Sequence, residues 1–350
     1  MTMTMAAAVV PEGFEAEKTL PSRLFDQVTE IRVLHPEVIE NEARRRIRRR
    51  RLTLDGKLAL VAADHAGRGV MQIRDDKLAL ADRYQLLARI RRLLEDENLD
   101  GLLGTGDVIE ELLILSHLER RQGRASFLDN RVLVGSMNRG GIAGTSFEME
   151  DAFTCMTAER LAKLRCDGGK MLYRMDAQDD ASGRTIYACA QAINALRRHE
   201  LPAFVEPLEV RRENGNYHTA KDNVSLIRQC GIAAALGESS AHIWLKLPYG
   251  VGFDRVCRAT TLPILLLGGP AREDLRDTMR DFAEGLACSN RVRGAIIGRN
   301  LLFPPNGDPL PAGRALTLMI HKGATFDDAV RTIGEPPPVQ APSSNTPRRR

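Results

Sequence analysis

Short apolar runs alternate along the chain with longer amphipathic stretches. Residues 76–95, 157–165, 183–198, 222–236 and 273–287 carry apolar positions at helical spacing. Regular alternation of strands and helices predicts a parallel sheet, in which the strands are buried on both faces. The apolar runs with the length of buried strands number eight: 58–63, 101–103, 132–134, 170–173, 203–205, 243–247, 264–267 and 294–297.

Eight such units in about 250 residues match the size of a (β/α)8 TIM barrel, the fold we predict. An open, doubly wound α/β sheet is the alternative. It is disfavoured because no GxGxxG motif follows the first strand. We assign residues 1–52 to an N-terminal extension, helical over 21–50, and 53–333 to the barrel. Residues 334–350, rich in Pro, Ser, Asn and Arg, are predicted to be a disordered tail.

Charge and hydropathy restrict the partners. The net charge of +4 is small for 350 residues and indicates no commitment to nucleic acid or membrane. The basic run 44–51 lacks the aromatic residues of a nucleic-acid stacking surface, so we expect a solvated helix face or a subunit contact. No apolar run is long enough to cross a bilayer. A cytoplasmic protein without nucleic-acid or membrane partners is predicted.

The metal-binding residue types are scattered. Six cysteines occur without a CxxC pair, which favours free thiols in a reducing compartment. Seven histidines occur without HxH or HExxH spacing. The sequence therefore predicts neither a metal site nor a cofactor.

A lysine interrupts the sixth apolar run. Lysine is almost never fully buried without a specific reason, and burial favours its neutral, nucleophilic amine. Period-two alternation places His242, Trp244 and Lys246 on one face and only apolar residues on the other, so Lys246 should point into the barrel. Lys246 is therefore a candidate for Schiff-base chemistry on a carbonyl substrate. The alternative is a strand-end lysine whose amine reaches solvent.

Charged residues also fall on the neighbouring strands. Alternation in the fourth run puts Arg174 and Asp176 on the same face as Lys170. A second lysine can lower the pKa of the first by repulsion. Glu206, after the fifth run, could compensate either lysine or act as a general acid or base. The alternatives are a salt bridge at the lower end of the strand for Lys170 and a purely structural ion pair for Glu206.

The ends of the first and sixth runs add a carboxylate and a phenol. Asp64 directly follows the first run, at the strand end where barrel active sites lie. It could instead be a turn or capping residue. His65 faces the other way and is interpreted as structural. Tyr249 lies just past the sixth run, and its phenol could relay protons.

Glycines follow the last two strands. Glycine lets backbone amides approach an anion, and phosphate sites in these barrels commonly use the loops after strands seven and eight. The long glycine-rich loop over 135–145, after the third strand, could be a lid, a second anion site with Arg139, or a flexible surface loop. The predicted phosphate site consists of Gly268, Gly269, Gly298 and Arg299.

Taken in order, these strand-end motifs resemble the class I aldolases of the DhnA type. That family includes the archaeal-type fructose-bisphosphate and the tagatose-bisphosphate aldolases. The chain looks nearest to a (β/α)8 branch associated with inositol catabolism. The segment ahead of strand one and the loop after strand three depart from the family pattern. The resemblance spans residues 58–303, with matching motifs at 63–65, 170–173, 205–208, 245–249, 267–270 and 297–300.

The resemblance implies a role for each matching residue. Lys246 would be the Schiff-base lysine. Lys170 and Glu206 would polarise the substrate and handle protons, and Asp64 would orient the nucleophile and the substrate hydroxyls. The family's phosphate-binding positions correspond to Gly268, Gly269, Gly298 and Arg299.

The implied reaction is metal-independent, reversible aldol cleavage of a phosphorylated ketose or keto-sugar acid by a homo-oligomer. The inositol link suggests 2-deoxy-5-keto-gluconate 6-phosphate, which would give dihydroxyacetone phosphate and malonate semialdehyde. Arg139 or Arg174 would pair with the extra carboxylate. The alternatives are a lysine-dependent acyl transferase, a deoxyribose-phosphate-type aldolase, a non-catalytic sugar-phosphate sensor, and nucleic-acid binding through 44–51 and 348–350.

Overall fold

Parallel strands close into a barrel, as the alternating pattern predicts. The structure, a computed structural model, describes residues 13–139, 141–214, 216–220 and 222–333. The predicted strands one to five are β1 to β5, and the predicted strands six to eight are β7 to β9. Their bounds are β1 Leu58–Ala63, β2 Gly101–Gly104, β3 Val132–Ser136, β4 Gly168–Met175, β5 Ala203–Glu213, β6 Asn216–Thr219, β7 Ile243–Pro248, β8 Ile264–Leu267 and β9 Val292–Ile297.

Strand pairing runs around the whole barrel. Each barrel strand is parallel to its neighbours, and the sheet closes where β1 pairs with β9. The short β6 lies outside this ring and pairs antiparallel with the extended end of β5. Because all barrel strands run the same way, their C-terminal ends meet at one mouth.

The period-two pattern of the strands separates two cores. Leu58, Leu60 and Ala62 of β1 point into the barrel, where Phe204 and Trp244 also lie. The residues between them face outward and pack against the helices. The purely apolar set of β7 likewise belongs to this outer core, so its lysine face points inward as predicted.

Helices surround the barrel, and among the described residues three further helices precede it. The helices preceding β1 pack against α4 and α5. The bounds are α1 Ala16–Thr19, α2 Ser22–Leu34, α3 Val38–Arg45, α4 Arg83–Leu93, α5 Gly106–Arg121, α6 Ala158–Lys163, α7 Ala181–Arg198, α8 Asn223–Ala234, α9 Phe253–Arg258, α10 Leu275–Cys288, α11 Arg299–Leu302, α12 Pro309–Lys322 and α13 Phe326–Ile333.

The basic run contradicts two predictions. Helix α3 ends at Arg45, so the helix does not continue to residue 50. The arginines that follow do not form a solvated helix face. Arg48 lies 2.5 Å from a carboxylate oxygen of Asp167, and Arg49 lies 2.5 Å from one of Asp100.

These arginines bind the N-terminal face of the barrel, opposite the mouth. Asp100 and Asp167 directly precede β2 and β4. Arg46 is buried and donates to the backbone carbonyl of Arg131 at 2.7 Å. Arg46 also lies 3.4 Å from Asp167. Arg46, Arg48 and Arg49 therefore hold this segment against the N-terminal face of the barrel.

Other predictions concern the chain as a whole. In the described ranges, no helix is long and apolar enough to cross a membrane. The six cysteines are unpaired, as expected from their spacing. The predicted tail over 334–350 and the first part of the N-terminal extension lie outside the described residues.

Candidate active site

Lys246 lies inside the barrel near the C-terminal end of β7. Its register with Leu265 of β8 fixes the direction of its side chain. The residue is 7% exposed, and its Nζ donates a hydrogen bond to Oε2 of Glu206 at 2.8 Å. The lysine is thus held under the mouth, and its alternative interpretation as a strand-end lysine in solvent is wrong.

Glu206 lies between two ammonium groups. The carboxylate oxygen that contacts Lys246 is also 3.1 Å from Nζ of Lys170. Lys170 in turn donates to Oδ2 of Asp64 at 3.0 Å. Three strands and the end of a fourth therefore bring a continuous chain of alternating charges together. We call Asp64, Lys170, Glu206 and Lys246 the charge relay.

The position of the charge relay excludes the alternative interpretations of Lys170 as a salt bridge at the lower end of its strand and of Asp64 as a turn or capping residue. Lys170 reaches Asp64, which follows the C-terminal end of β1, so its salt bridge does not lie at the lower end of β4. Asp64 directs its carboxylate at Lys170 rather than at a helix terminus. Glu206 contacts both lysines, as an acid–base role and a structural pair would each require.

The two lysines differ in pKa. Burial lowers the pKa of Lys246, and repulsion by Lys170 lowers it further against the attraction of Glu206. Burial alone would also lower the pKa of Lys170, but Asp64 and Glu206 outweigh it and raise that pKa. Lys170 therefore holds the charge, and Lys246 is the better nucleophile.

The carboxylates of the charge relay stay ionised. Burial alone would raise the pKa of Glu206, yet Lys170 and Lys246 hold it well below its usual range. The pKa of Asp64 is likewise held down against burial, chiefly by Lys170. Among the described residues, no three His, Cys, Asp or Glu side chains are grouped as metal ligands would be.

Gly298 makes room for His65. A Cβ on Gly298 would lie 2.1 Å from Cε1 of the imidazole. The Nδ1 of His65 is 4.0 Å from Asp64, and burial lowers the pKa of His65 to about 3. His65 is thus a neutral ring packed behind Asp64. Packing against His65 therefore explains why this position lacks a side chain. The phosphate-binding role of Gly298 stays a prediction.

A cavity of about 490 Å³ opens above the charge relay. Glu206 forms part of its wall, so the amine of Lys246 lies one hydrogen bond below it. Four arginines also line the cavity: Arg68, Arg174, Arg272 and Arg299. The excess of guanidiniums over carboxylates suits an anionic ligand.

Most of the predicted phosphate site lines this cavity. Gly268 and Gly269 lie on one side of it together with Arg299. Gly269 has φ +65°, a conformation that glycine adopts without strain. Helix dipoles contribute little at this site. Helix α11 has only four residues, and α10 begins after the intervening loop with its own Asp274 cap.

Arg174 lies in the cavity but already has a partner. It is ion-paired with Glu148, which belongs to the loop after β3. That loop is fixed by Asn138, whose buried amide donates to the Leu172 carbonyl at 2.7 Å and accepts from the Leu172 N–H at 2.9 Å. The loop thus reaches the site through the ion pair of Glu148 with Arg174.

Arg139 does not join the cavity above the charge relay. It lines a separate cavity of about 550 Å³, where it donates to Thr154 at 3.0 Å. Its predicted contact with a substrate carboxylate is therefore not supported by its position. The other prediction for Arg139, that it forms a second anion site, stays a prediction.

Tyr249 lines the cavity with its ring, but its hydroxyl is directed away from the charge relay. The hydroxyl donates to Glu284 of α10 at 2.8 Å. Partial burial and this carboxylate raise the pKa of Tyr249 to about 12. Its predicted role as a proton relay is therefore not favoured.

Sequence reasoning missed several lining residues. Arg68 follows the Asp64 motif between two glycines, a signal that was available. The hairpin of β5 and β6 adds Tyr217, His218 and Thr219 to the wall. Nothing in its polar sequence suggested a strand beyond residue 205.

Sequence comparison assigns most of the chain to a family. Residues 56–315 match the sequence model of the Cgl0159-like family. No curated protein matches the chain.

Solved structures share the barrel. Cgl0159 from Corynebacterium glutamicum is 34% identical, with a TM-score of 0.80 over 86% of this chain and 98% of that one. An archaeal fructose-1,6-bisphosphate aldolase, solved with its catalytic lysine bound to the carbinolamine intermediate, is 19% identical. The match covers 81% of this chain and 99% of that one, with a TM-score of 0.53. A fructose-bisphosphate aldolase from Slackia heliotrinireducens is 11% identical. The match covers 93% of this chain and 95% of that one, with a TM-score of 0.58. The two aldolase likenesses concern the fold alone.

Proposed function

The chain belongs to the Cgl0159-like family, and we propose that it is a class I aldolase whose Lys246 forms a Schiff base. The proposed substrate is a phosphorylated ketose or keto-sugar acid. The observation that carries the proposal is the 2.8 Å contact of Lys246 with Glu206 beneath a cationic cavity. A buried amine of lowered pKa beside a carboxylate is suited to iminium chemistry.

The first half of the reaction builds the iminium. The neutral amine of Lys246 attacks the ketone carbon, and the carbonyl oxygen takes up a proton to give a carbinolamine. Loss of water then leaves the iminium. We assign to Glu206 the acceptance of a proton from the attacking nitrogen, which its 2.8 Å contact with Lys246 supports, and the ammonium of Lys170 would keep Glu206 ionised beforehand.

The second half breaks the carbon–carbon bond. A base removes the proton of the hydroxyl on the carbon to be released, and the bonding electrons move into the iminium. An aldehyde leaves and an enamine remains on Lys246. Protonation of the enamine and hydrolysis by water return the free lysine. Glu206 is the proposed base because Tyr249 is bonded to Glu284, and Asp64 orients the substrate hydroxyls.

The phosphate of the ketose half would lie against Gly268, Gly269 and Arg299. Their shared position at one side of the cavity supports this placement. For the intact substrate, the inositol resemblance leads us to propose 2-deoxy-5-keto-gluconate 6-phosphate. Its cleavage would leave the dihydroxyacetone phosphate enamine on Lys246 and release malonate semialdehyde.

Borohydride trapping tests the Schiff base. The protein is incubated with dihydroxyacetone phosphate, reduced, digested and read by peptide mass spectrometry. We expect a reduced three-carbon phosphate adduct on Lys246, because reduction converts an iminium into a stable secondary amine. Lys246→Met should abolish the adduct, whereas Lys163→Met, at a half-exposed lysine on α6, should retain it.

Two results would change the assignment. An adduct on Lys170 would preserve the reaction class and reverse the roles of the two lysines. A folded protein that is saturated with dihydroxyacetone phosphate but gives no adduct would rule out the aldolase proposal.

A further inference from the structure

One buried side chain joins the two loops that carry the proposed phosphate site. Asn300 follows Arg299 in α11 and is 2% exposed. Its Nδ2 donates to the backbone carbonyls of Gly268 at 2.8 Å and Pro270 at 2.9 Å, and its Oδ1 accepts from the Arg272 N–H at 2.9 Å. The amide thus uses its acceptor and its donors on the loop after β8.

The loop after β8 has few other links to the rest of the protein. In the part of the chain that the structure describes, no backbone–backbone hydrogen bond reaches residues 268–272. The three hydrogen bonds to the backbone of this loop all come from Asn300, and the ion pair of Arg272 with Asp281 joins side chains only. Without the amide, two carbonyls and one N–H of the loop would lose their protein partners. The conformation of the loop therefore depends on Asn300.

Asn300 connects groups that line the cavity without lining it itself. Gly268, Gly269 and Arg299 form part of the cavity wall, and Asn300 does not. The side chain of Asn300 is bonded to the loop of the two glycines, and its backbone continues directly from Arg299. Any effect of Asn300 on a bound ligand must therefore pass through these neighbours.

We propose that Asn300 is a positioning residue of the phosphate site, which holds the glycine loop after β8 in register with Arg299 before a ligand binds. This inference rests on the proposed aldolase function and on its placement of the phosphate, and it deepens both. A phosphate is bound through several hydrogen bonds at once, so their donors must keep a fixed spacing. A loop that is already fixed need not become ordered on binding, which strengthens the binding of the phosphate.

Trapping rates with two ketones test this role. Borohydride reduction traps the adduct on Lys246 with dihydroxyacetone phosphate and, separately, with dihydroxyacetone, which has the same ketone but no phosphate. The ratio of the two second-order rate constants measures the contribution of the phosphate. We expect wild type to prefer the phosphorylated ketone. Asn300→Ala should reduce the ratio by roughly 10- to 100-fold, the usual range for hydrogen bonds to a charged group.

Matched variants separate this effect from a general loss of structure. Asn300→Ser keeps one donor and should retain part of the ratio, and it takes the place of Asn300→Ala if that variant does not fold. Asn194 also fixes a loop through its amide, because it accepts from the Glu238 N–H at 2.8 Å ahead of β7, at the opposite end of the barrel. Asn194→Ala should leave the ratio within about threefold of wild type.

Hydrogen exchange gives a readout that does not depend on any substrate. In the protein without ligand, the Arg272 N–H is protected by its bond to Asn300. Peptides that cover residues 268–274 should therefore exchange faster in Asn300→Ala than in wild type, and those from α7 should exchange at the wild-type rate.

The results distinguish this inference from the aldolase proposal. If wild type forms the adduct but Asn300→Ala lowers both rate constants equally, or leaves the exchange of residues 268–274 unchanged, the role of Asn300 is wrong and the aldolase stands. If wild type traps both ketones equally fast, the placement of the phosphate is wrong and the role of Asn300 falls with it. If wild type forms no adduct with either ketone, both proposals fall.

Discussion

The two buried lysines are distinguished by the number of carboxylates that each contacts. Lys170 is fully buried and bonded to Asp64 as well as to Glu206, whereas Lys246 contacts Glu206 alone and keeps 7% exposure. The extra carboxylate keeps Lys170 charged. That charge then repels a proton from Lys246, so one lysine sets the reactivity of the other.

Removing the charge of Lys170 should make Lys246 a poorer nucleophile. In Lys170→Gln the repulsion is lost while Glu206 still attracts the proton, so the pKa of Lys246 rises. We expect the pH profile of adduct formation on Lys246 to move to higher pH. The rate at pH 7 should fall by roughly tenfold, because one pH unit changes the neutral fraction tenfold. The measurement is the trapping rate between pH 6 and pH 10.

The conservative variant is the control. Lys170→Arg keeps a cation between Asp64 and Glu206 and should leave the profile closer to that of wild type. Circular dichroism shows whether each variant is folded. An unchanged profile in folded Lys170→Gln would mean that burial alone lowers the pKa of Lys246.

The sequence was informative about the charge relay because each member follows from strand periodicity and position. Asp64, Lys170, Glu206 and Lys246 all lie on inward faces or at strand ends, where alternation can be counted. Arg68 was missed because it lies in a 3₁₀ turn after β1. The sequence periodicity that gives side-chain directions in strands and α-helices does not apply to such a short turn.

At the scale of elements, a buried side-chain amide anchors the start of the loop after β3 to β4. Asn138 is fully buried and also donates to Asp151 at 2.7 Å. Because it satisfies both backbone groups of Leu172, it fixes the loop to β4 between Lys170 and Arg174. The same loop supplies Glu148 to Arg174, so its position bears on the charge of the cavity.

Replacing this amide should destabilise the protein. Asn138→Ala leaves the buried N–H and carbonyl of Leu172 without partners, at a cost of roughly 2–4 kcal/mol in the free energy of unfolding. Urea denaturation measures the change. Arg139→Gln, at the next residue of the same loop, should change it by less than about 0.5 kcal/mol. Equal losses in both variants would refute the anchoring role of Asn138.

The barrel strands were predictable because their apolar runs alternate regularly with amphipathic helical stretches. The hairpin was not. Strand β5 continues to Glu213 through mostly charged residues, and β6 is polar. Both therefore look like a solvated loop in the sequence. Their strand conformation depends on pairing with each other, which a single segment does not reveal.

At the scale of the whole molecule, the N-terminal segment and α12 contact the N-terminal face of the barrel, called the lower face below because it lies opposite the mouth. The sequence suggested helix through residue 50 because arginine is a good helix former. The partners of Arg46, Arg48 and Arg49 are carboxylates and a backbone carbonyl far along the chain. Helix propensity, which depends on local sequence, does not include such contacts. Tertiary contacts therefore override the local preference here.

His321 gives this lower face a dependence on pH. Its Nδ1 lies 2.9 Å from Asp55 and its Nε2 lies 3.1 Å from Asp100, so it joins α12 to the segments ahead of β1 and β2. Burial alone would lower the pKa of His321, but the adjacent carboxylates of Asp100 and Asp55 raise it above its usual value. The folded protein therefore holds this proton more tightly than the unfolded chain does.

Protonation of His321 should stabilise the folded protein at low pH. A raised folded pKa contributes stability that is complete below the unfolded value, about 6.5, and is lost as the pH rises through the folded pKa. His321→Gln should thus lower the free energy of unfolding by roughly 1–2 kcal/mol at pH 6 and by much less at pH 9.5. Urea denaturation of both proteins at the two pH values measures this difference. A loss of equal size at both would show that His321 stabilises the lower face by packing rather than by charge.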